Sequence, residues 1–232
     1  MAEAGPPQAL VFDLDDTLCP ERPFVLARLR RVAEHLRRRF GDGLDFEAEL
    51  VRAYEADLRT RVFDVVLERA GIAPEPALVR ELVDLYRSGP VEVAPYPEVP
   101  GALERWSRRL PLGLVTDGYG PTQRRKVEAL GIGPFFRAIV YTDDLGAGAG
   151  KPSEVPFRRV AEALGVEEAV VYVGDNPPLD FPAPRRLGWT VVRVVRPGGK
   201  FAEAPPPAEA PPDFVVRSLD ELDALPPLAG LA

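Results

Sequence analysis

Cysteine, histidine and methionine each occur only once in the 232 residues of the sequence. The one cysteine, Cys19, excludes an internal disulfide, and we interpret it as a small packed residue. No apolar run approaches the length of a membrane span, and the amino terminus lacks the charged and apolar regions of a signal peptide. These absences predict a cytoplasmic protein that is not bound to a membrane.

Basic residues are in deficit, since the formal net charge is −7 and the isoelectric point lies near 5.0. A nucleic-acid polymer needs a basic surface, so this charge argues against such a partner, although a mononucleotide is still compatible with it. Lysine is especially rare, and Lys126, Lys151 and Lys200 stand out against 26 arginines. The single asparagine and the 27 prolines indicate either a heat-adapted, thermostable protein or a GC-rich genome.

Hydrophobic residues make up 46% of the chain and follow strand and helix patterns over most of it. This length and content predict a globular protein with one sizeable core and a smaller domain. Helices separate most of the apolar runs that we predict as strands, at residues 10–12, 112–116, 138–142, 169–173, 190–195 and 214–216. The alternation predicts an α/β fold, a doubly wound (Rossmann-like) parallel sheet.

Residues 23–87 follow a helical period instead. Four apolar rows predict four amphipathic helices, the first row being Val25, Leu29, Val32, Leu36 and Phe40. Two joints, residues 18–22 and 89–101, flank this segment. We therefore predict a small four-helix cap domain at 18–100, inserted into an α/β catalytic core formed by 1–17 and 101–232. The joints predict that the cap opens and closes over the edge of the sheet.

The chain is organised around residues 11–17, where an apolar strand leads into a segment with three aspartates and a threonine. Continuous apolar strands are typical of sheets covered on both faces, and such sheets bind ligands beyond the carboxyl ends of their strands. With a side-chain period of two, Asp13 and Asp15 point to the same side. We interpret Asp16 as a solvated loop residue or a helix cap.

Three further polar clusters follow predicted strands and so share this edge of the sheet. In the first, a threonine hydroxyl and the backbone N–H groups of a turn form an anion site. In the second, Lys151 lies between a Gly-rich loop and a helix, and its use in a chain that prefers arginine indicates a function. The third supplies two more carboxylates. The first cluster consists of Thr116, Asp117 and Gly118, and the third contains Asp175 and Asp180.

The chain resembles the haloacid dehalogenase (HAD) superfamily, specifically its phosphatase branch with a helical cap inserted after the first motif. The resemblance rests on four motifs in order: Asp13-Leu14-Asp15-Asp16-Thr17, Thr116, Lys151, and Gly174-Asp175 through Asp180. It implies that Asp13 is the nucleophile of an aspartyl-phosphate mechanism and that Asp15 is the general acid and base. It also implies that Thr116 and Lys151 hold the transferring group. The expected phosphate-binding residues are Gly118 and Asp117, where relatives often carry Asn.

The resemblance further implies a metal ion bound by Asp13, Asp175 and the backbone carbonyl of Asp15, with Asp180 as another ligand or as a partner of Lys151. Unit charges about 4 Å apart interact by roughly 4 kcal/mol at an effective dielectric constant of about 20, so several carboxylates would repel a phosphate dianion. Oxygen ligands without Cys or His favour Mg²⁺ over Zn²⁺. The expected partner is a small phosphorylated metabolite.

Related activities differ in the residues that they need. A dehalogenase needs neither a metal nor a second acid, so Asp15 and Asp175 argue against it. A phosphonate hydrolase needs a cap lysine for a Schiff base, and residues 18–101 contain none. Two alternatives stay open: a sugar phosphomutase, which returns the phosphoryl group to its substrate, and a catalytically silent binding protein on the same fold. The sequence makes no prediction about oligomeric state.

Overall fold

The computed structural model describes residues 6–58 and 60–231. The chain divides into two compact units, which we call the core unit (Met1–Glu21 with Val93–Ala232) and the helical unit (Arg22–Glu92). The assignment of these units as catalytic core and cap stays a prediction. Residues 1–5, 59 and 232 of the predicted domains lie outside the described residues. No helix within the described ranges combines the length and apolar character needed to cross a bilayer.

Among the described residues, four helices form the helical unit, and the first of them begins one residue before it. They are α1 (Glu21–Phe40), α2 (Phe46–Glu55), α3 (Val62–Arg69) and α4 (Pro76–Arg87). The apolar row predicted for α1 is buried over most of its length, and Leu29, Val32 and Leu36 are at most 2% exposed. Phe40 is the exception, since it is 39% exposed. It is the last residue of α1, and Gly41, with a φ of 85°, ends the helix there, so Phe40 leaves the buried face.

A six-stranded parallel sheet forms the centre of the core unit, and its strands are β1 (Ala9–Phe12), β2 (Leu112–Thr116), β3 (Ala138–Tyr141), β4 (Val170–Gly174), β5 (Thr190–Val194) and β6 (Phe214–Val216). Their spatial order is β3-β2-β1-β4-β5-β6. In β1, Leu10 and Phe12 pack into one apolar cluster, and Ala9 and Val11 pack into another. This alternation is required of a strand that is covered on both faces. The predicted doubly wound α/β fold is confirmed.

Further helices of the core unit supply the side chains that cover the sheet. They are α5 (Val99–Ser107), α6 (Gly120–Leu130), α7 (Val155–Leu164), α8 (Pro177–Asp180), α9 (Pro182–Arg186) and α10 (Pro226–Ala229). Leu103 and Trp106 of α5 pack in the cluster that contains Phe12, whereas Phe157 and Val160 of α7 pack in the other cluster. Helices on both faces leave the carboxyl ends of the strands as the place for a site.

The first predicted joint, residues 18–22, is largely part of the packed structure. Leu18 and Cys19 are fully buried, which confirms the packed interpretation of Cys19, and α1 already begins at Glu21. The backbone of Asp16 has a left-handed φ of 52°, a conformation that aspartate visits more readily than most residues. Its carboxylate accepts hydrogen bonds from the backbone N–H groups of Glu21 at 2.9 Å and Lys200 at 3.1 Å. Asp16 is therefore a buried helix cap and not a solvated loop residue.

Candidate active site

Three buried carboxylates lie together beyond the carboxyl ends of β1 and β4. These strands are neighbours in the sheet, with Phe12 opposite Val173, and the backbone N–H of Asp13 donates to the carbonyl oxygen of Val173 at 2.9 Å. Asp175 directly follows β4, and Asp180 is the last residue of α8. One oxygen of each of Asp13, Asp175 and Asp180 lies within 4.8 Å of the other two. The fold therefore brings together acidic residues from the first and the last motif.

Lys151 places its ammonium group between two of these carboxylates. Its Nζ lies 2.6 Å from Oδ1 of Asp13 and 2.7 Å from Oδ1 of Asp180, and 4% of its side chain is exposed. Burial acts to lower the pKa of Lys151, but the attraction of Asp13 and Asp180 outweighs burial and holds this pKa well above its usual value. The ammonium is therefore a fixed positive charge beside Asp13.

Asp180 is held by three hydrogen-bond donors. Its Oδ1 accepts from Lys151 and from the phenol of Tyr172 at 2.8 Å, and its Oδ2 accepts from the backbone N–H of Asn176 at 2.8 Å. These donors use three of the roughly four lone-pair positions of a carboxylate. A Cβ at Gly174 would lie 2.6 Å from Asp180 Oδ2, so this position has no room for a side chain. The carboxylate of Asp180 is thus fixed in place and nearly saturated.

Asp175 differs from Asp180 because, in the part of the chain that the structure describes, no group donates a hydrogen bond to its carboxylate. It is only 7% exposed. Burial, together with the charges of Asp180 and Asp13, raises the pKa of Asp175 well above its usual value. A buried carboxylate without a donor is costly, and a hard divalent cation with oxygen ligands removes that cost. The residues present therefore fit a divalent metal ion.

The carboxylate of Asp15 is held by α6 and not by Lys151. Lys126 Nζ lies 2.6 Å from Oδ1 of Asp15, and Gln123 Nε2 donates to Oδ2 of Asp15 at 2.9 Å. The same amide group donates to Oγ1 of Thr116, at the end of β2, at 2.7 Å. The side chain of Asp15 is 21% exposed, whereas that of Asp13 is 8% exposed. The two aspartates of the first motif thus have separate cationic partners and different access to solvent.

The residues after β2 link the second motif to the third. Thr116 is buried, and the carboxylate of Asp117 accepts a hydrogen bond from the backbone N–H of Lys151 at 3.2 Å. Asp117 therefore fastens the loop that carries Lys151. Gly118 has a φ of 111°, which disfavours any residue with a Cβ. The phosphate-binding roles of Asp117 and Gly118 stay predictions.

The acidic cluster carries more negative charge than its buried ammonium balances. Burial raises the pKa of Asp13 to about 8, because the opposing attraction of Lys151 is smaller and the charge of Asp180 adds to the rise. Ionised Asp13 is therefore disfavoured without a further cation. A divalent ion beside Asp13 would favour its anionic form, since a nearby opposite charge lowers the pKa of a carboxyl group.

We expect the Asp13 contribution to the stability of the metal-free protein to decrease as the pH rises from about 4 to about 8. The pKa of Asp13 is 3.8 when unfolded and about 8 in the fold. Folding therefore favours the protonated form, and the stabilisation that is present below the unfolded pKa disappears as the pH rises through the folded pKa. Melting temperatures in excess chelator should fall across this window for the wild type and fall less for Asp13→Asn. Equal pH slopes for the two proteins would contradict this expectation.

Three residues at the site lie outside the sequence prediction: Gln123, Lys126 and Tyr172. The rarity of lysine is a signal for Lys126, which shares its helix face with Gln123 at a spacing of three. Tyr172 lies inside an apolar strand, and nothing in the sequence shows that its phenol reaches Asp180. These contacts depend on which side chains the packed elements turn toward the site.

Comparison with known proteins identifies relatives of the chain. A family model described as haloacid dehalogenase-like hydrolase matches residues 7–188. The chain is 33% identical to a glyceraldehyde 3-phosphate phosphatase of Methanopyrus kandleri, over 96% of this chain and 98% of that protein. It is 37% identical to a phosphoserine phosphatase of Thermus thermophilus, over 75% of this chain and 67% of that protein.

Solved structures show the same fold. A crystal structure of a HAD-hydrolase from Bacillus subtilis, bound to magnesium, matches with a TM-score of 0.74 and 22% identity. The match covers 95% of this chain and 98% of that chain. The shared fold therefore extends over nearly the full length of both proteins.

Proposed function

Because the chain belongs to the haloacid dehalogenase-like hydrolase family and is a phosphoric monoester hydrolase, we propose that it is a Mg²⁺-dependent phosphatase with an aspartyl-phosphate intermediate. The observation that carries this proposal is the separation of two aspartates at one strand end. Asp13 lies in the buried acidic cluster beside Lys151, whereas Asp15 is partly exposed and bound to α6. This separation supports a mechanism in which Asp13 attacks phosphorus and Asp15 exchanges protons with solvent and substrate.

In the first half of the reaction, a carboxylate oxygen of Asp13 attacks phosphorus. The bond between phosphorus and the ester oxygen breaks, and Asp15 gives its proton to the departing alkoxide, so an alcohol leaves. Lys151 and Thr116 would hold the oxygens of the transferring group. The fixed charge of Lys151 lies 2.6 Å from Asp13 and is therefore next to the point of attack.

In the second half, Asp15 acts as a base. It accepts a proton from a water molecule that attacks the phosphorus of the aspartyl-phosphate, and the bond to Asp13 breaks to release inorganic phosphate. Asp15 ends this half protonated, ready to serve as the acid again. The partial exposure of its side chain, 21%, is consistent with access of water.

A bound Mg²⁺ would be held by Asp13, Asp175 and the backbone carbonyl of Asp15. It supplies positive charge that offsets the carboxylates and the phosphate and keeps Asp13 anionic. Asp180 already accepts three hydrogen bonds, so of its two expected roles we propose that of partner to Lys151. The relative from Bacillus subtilis, whose structure contains magnesium, supports the choice of metal.

We propose a three-carbon phosphomonoester as the substrate. The two relatives described above, which share 33% and 37% identity with this chain, are named for glyceraldehyde 3-phosphate and phosphoserine, and both compounds are three-carbon phosphomonoesters. Selection between such compounds would belong to the helical unit, since the residues of the acidic cluster recognise only the phosphate and the ester oxygen.

Purified protein with Mg²⁺ should release inorganic phosphate from a panel of phosphorylated acids, aldehydes, sugars and nucleotides, with the three-carbon compounds preferred. The measurements are phosphate release and, by NMR, the organic product. An isomerised sugar phosphate without free phosphate would favour a phosphomutase. Failure to turn over any phosphoester, in a folded protein that binds Mg²⁺, would favour a silent binding protein.

A further inference from the structure

Gln123 and Lys126 lie one helical turn apart on α6, and both side chains are buried, at 3% and 2% exposure. Each engages a different oxygen of Asp15: Lys126 contacts Oδ1 and Gln123 donates to Oδ2. Because both oxygens have a donor, rotation of the carboxylate about its own axis would break two contacts at once. The pair therefore fixes the plane of the Asp15 carboxylate.

Burial of the Lys126 ammonium group costs free energy, which its contact with Asp15 offsets. An ammonium group out of water is costly unless it is paired, and the Nζ of Lys126 lies 2.6 Å from Oδ1 of Asp15. Burial acts to lower the pKa of Lys126, but the charge and hydrogen bond of Asp15 outweigh burial and raise it. In a chain with 26 arginines, a lysine here supplies a compact charge on a thin stem. The site therefore uses a buried cation to hold a group that is itself partly exposed.

Gln123 also sets the direction of the Thr116 hydroxyl. Its amide nitrogen donates one hydrogen to Asp15 and the other to Oγ1 of Thr116. Since Oγ1 accepts from Gln123, the hydroxyl proton of Thr116 is directed elsewhere, and it makes only a long contact of 3.5 Å with the carbonyl oxygen of Asp117. That proton is available to a phosphoryl oxygen. One amide thus orients both a proton carrier and a phosphate donor.

We infer that Gln123 and Lys126 are positioning residues that hold Asp15 in the orientation for proton transfer to the leaving group. This inference rests on the proposed phosphatase function. The inference predicts that the loss of kcat/KM in variants of these two residues depends on the leaving group of the substrate. An alkyl phosphate releases a poor leaving group and needs the proton of Asp15, whereas p-nitrophenyl phosphate releases a good one and needs it little.

The test compares Lys126→Met and Gln123→Met with the wild type, using p-nitrophenyl phosphate and the alkyl phosphate that the wild type hydrolyses best. The parameter is kcat/KM, which reports only the steps up to departure of the leaving group and is independent of aspartyl-phosphate hydrolysis. Arg125→Met removes a positive charge from an exposed neighbour on the same helix and is the matched control. Melting temperature and Mg²⁺ binding check that each variant folds.

We expect kcat/KM for the alkyl phosphate to fall by about 10-fold to 100-fold in both variants, since general acid catalysis contributes roughly 10²-fold or more. For p-nitrophenyl phosphate it should fall less than about threefold in Lys126→Met. In Gln123→Met, which also releases Thr116, the loss on p-nitrophenyl phosphate should be clearly smaller than the loss on the alkyl phosphate. Arg125→Met should match the wild type on both. Equal losses on the two substrates, or no loss, would overturn the positioning role. If Lys126→Met does not fold, the neutral Gln123→Met decides the question. If the wild type hydrolyses no phosphoester, the proposed phosphatase function is wrong. That outcome differs from failure of the positioning role, in which the wild type is active and the variants show no dependence on the leaving group.

Discussion

Asp13→Asn should abolish phosphate release, lowering kcat by at least about 10⁴-fold, because removal of a covalent nucleophile typically costs that much or more. An amide has nearly the shape of the carboxylate but cannot attack phosphorus. The fold should survive, because the substitution removes a buried negative charge from a cluster that already contains Asp175 and Asp180. Steady-state release of phosphate, measured with a protein prepared free of wild type, gives the result.

Asp84→Asn provides the control for Asp13→Asn, since it makes the same chemical change at an exposed position of α4. It should leave turnover unchanged. The variant Asp13→Asn should also fail to form a phosphorylated protein that hydroxylamine cleaves. Substantial activity of Asp13→Asn, with the melting curve of a folded protein, would mean that another residue is the nucleophile.

Removal of divalent ions should reduce phosphate release to the background rate, and Mg²⁺ should restore it. Without a cation, burial raises the pKa of Asp13 to about 8, so the nucleophile is largely protonated at neutral pH, and the carboxylates of the cluster that do ionise repel a phosphate dianion. Each such pair of charges about 4 Å apart repels by roughly 4 kcal/mol at an effective dielectric constant of about 20. The measurement is phosphate release in excess EDTA, followed by titration with Mg²⁺.

The variant Asp175→Asn sharpens the metal prediction. Asp175 has no hydrogen-bond donor among the described residues, so its loss should raise the Mg²⁺ concentration needed for activity while it leaves the packing intact. An increase of at least about 10-fold is expected for loss of a ligand. Turnover that is unchanged in excess chelator would show that the carboxylates do not need a cation.

The strands and the polar residues that follow them can be predicted from the sequence. A run such as Ala9–Phe12, buried on both faces, has no polar position, so the pattern is clear even in a short segment. Parallel strands all end at one edge, which means that Asp13 and Asp175 must approach each other wherever β1 and β4 are placed side by side. The helices of residues 23–87 are equally predictable from their period.

The partners of the site residues could not be predicted in the same way. The sequence shows that α6 is a helix, but it does not show that the face with Gln123 and Lys126 is turned toward Asp15. It leaves two roles for Asp180, and the contacts with Tyr172 and Lys151, which support our proposal for one of them, are visible only in the structure. Such contacts depend on packing between elements that are far apart in the chain, for which local patterns carry no information.

The position of β1 in the sheet also has a consequence for biosynthesis. Of the six strands in the described sheet, β1 leaves the ribosome first, yet Leu10 pairs with Leu112 and Ala9 pairs with Val170. The helical unit, whose helices are close in sequence, can fold before the partner strands of β1 have been synthesised. During that interval the strand is an exposed apolar segment that is prone to aggregate. The acidic cluster, whose members lie at both ends of this span, is assembled only after translation has passed Asp180.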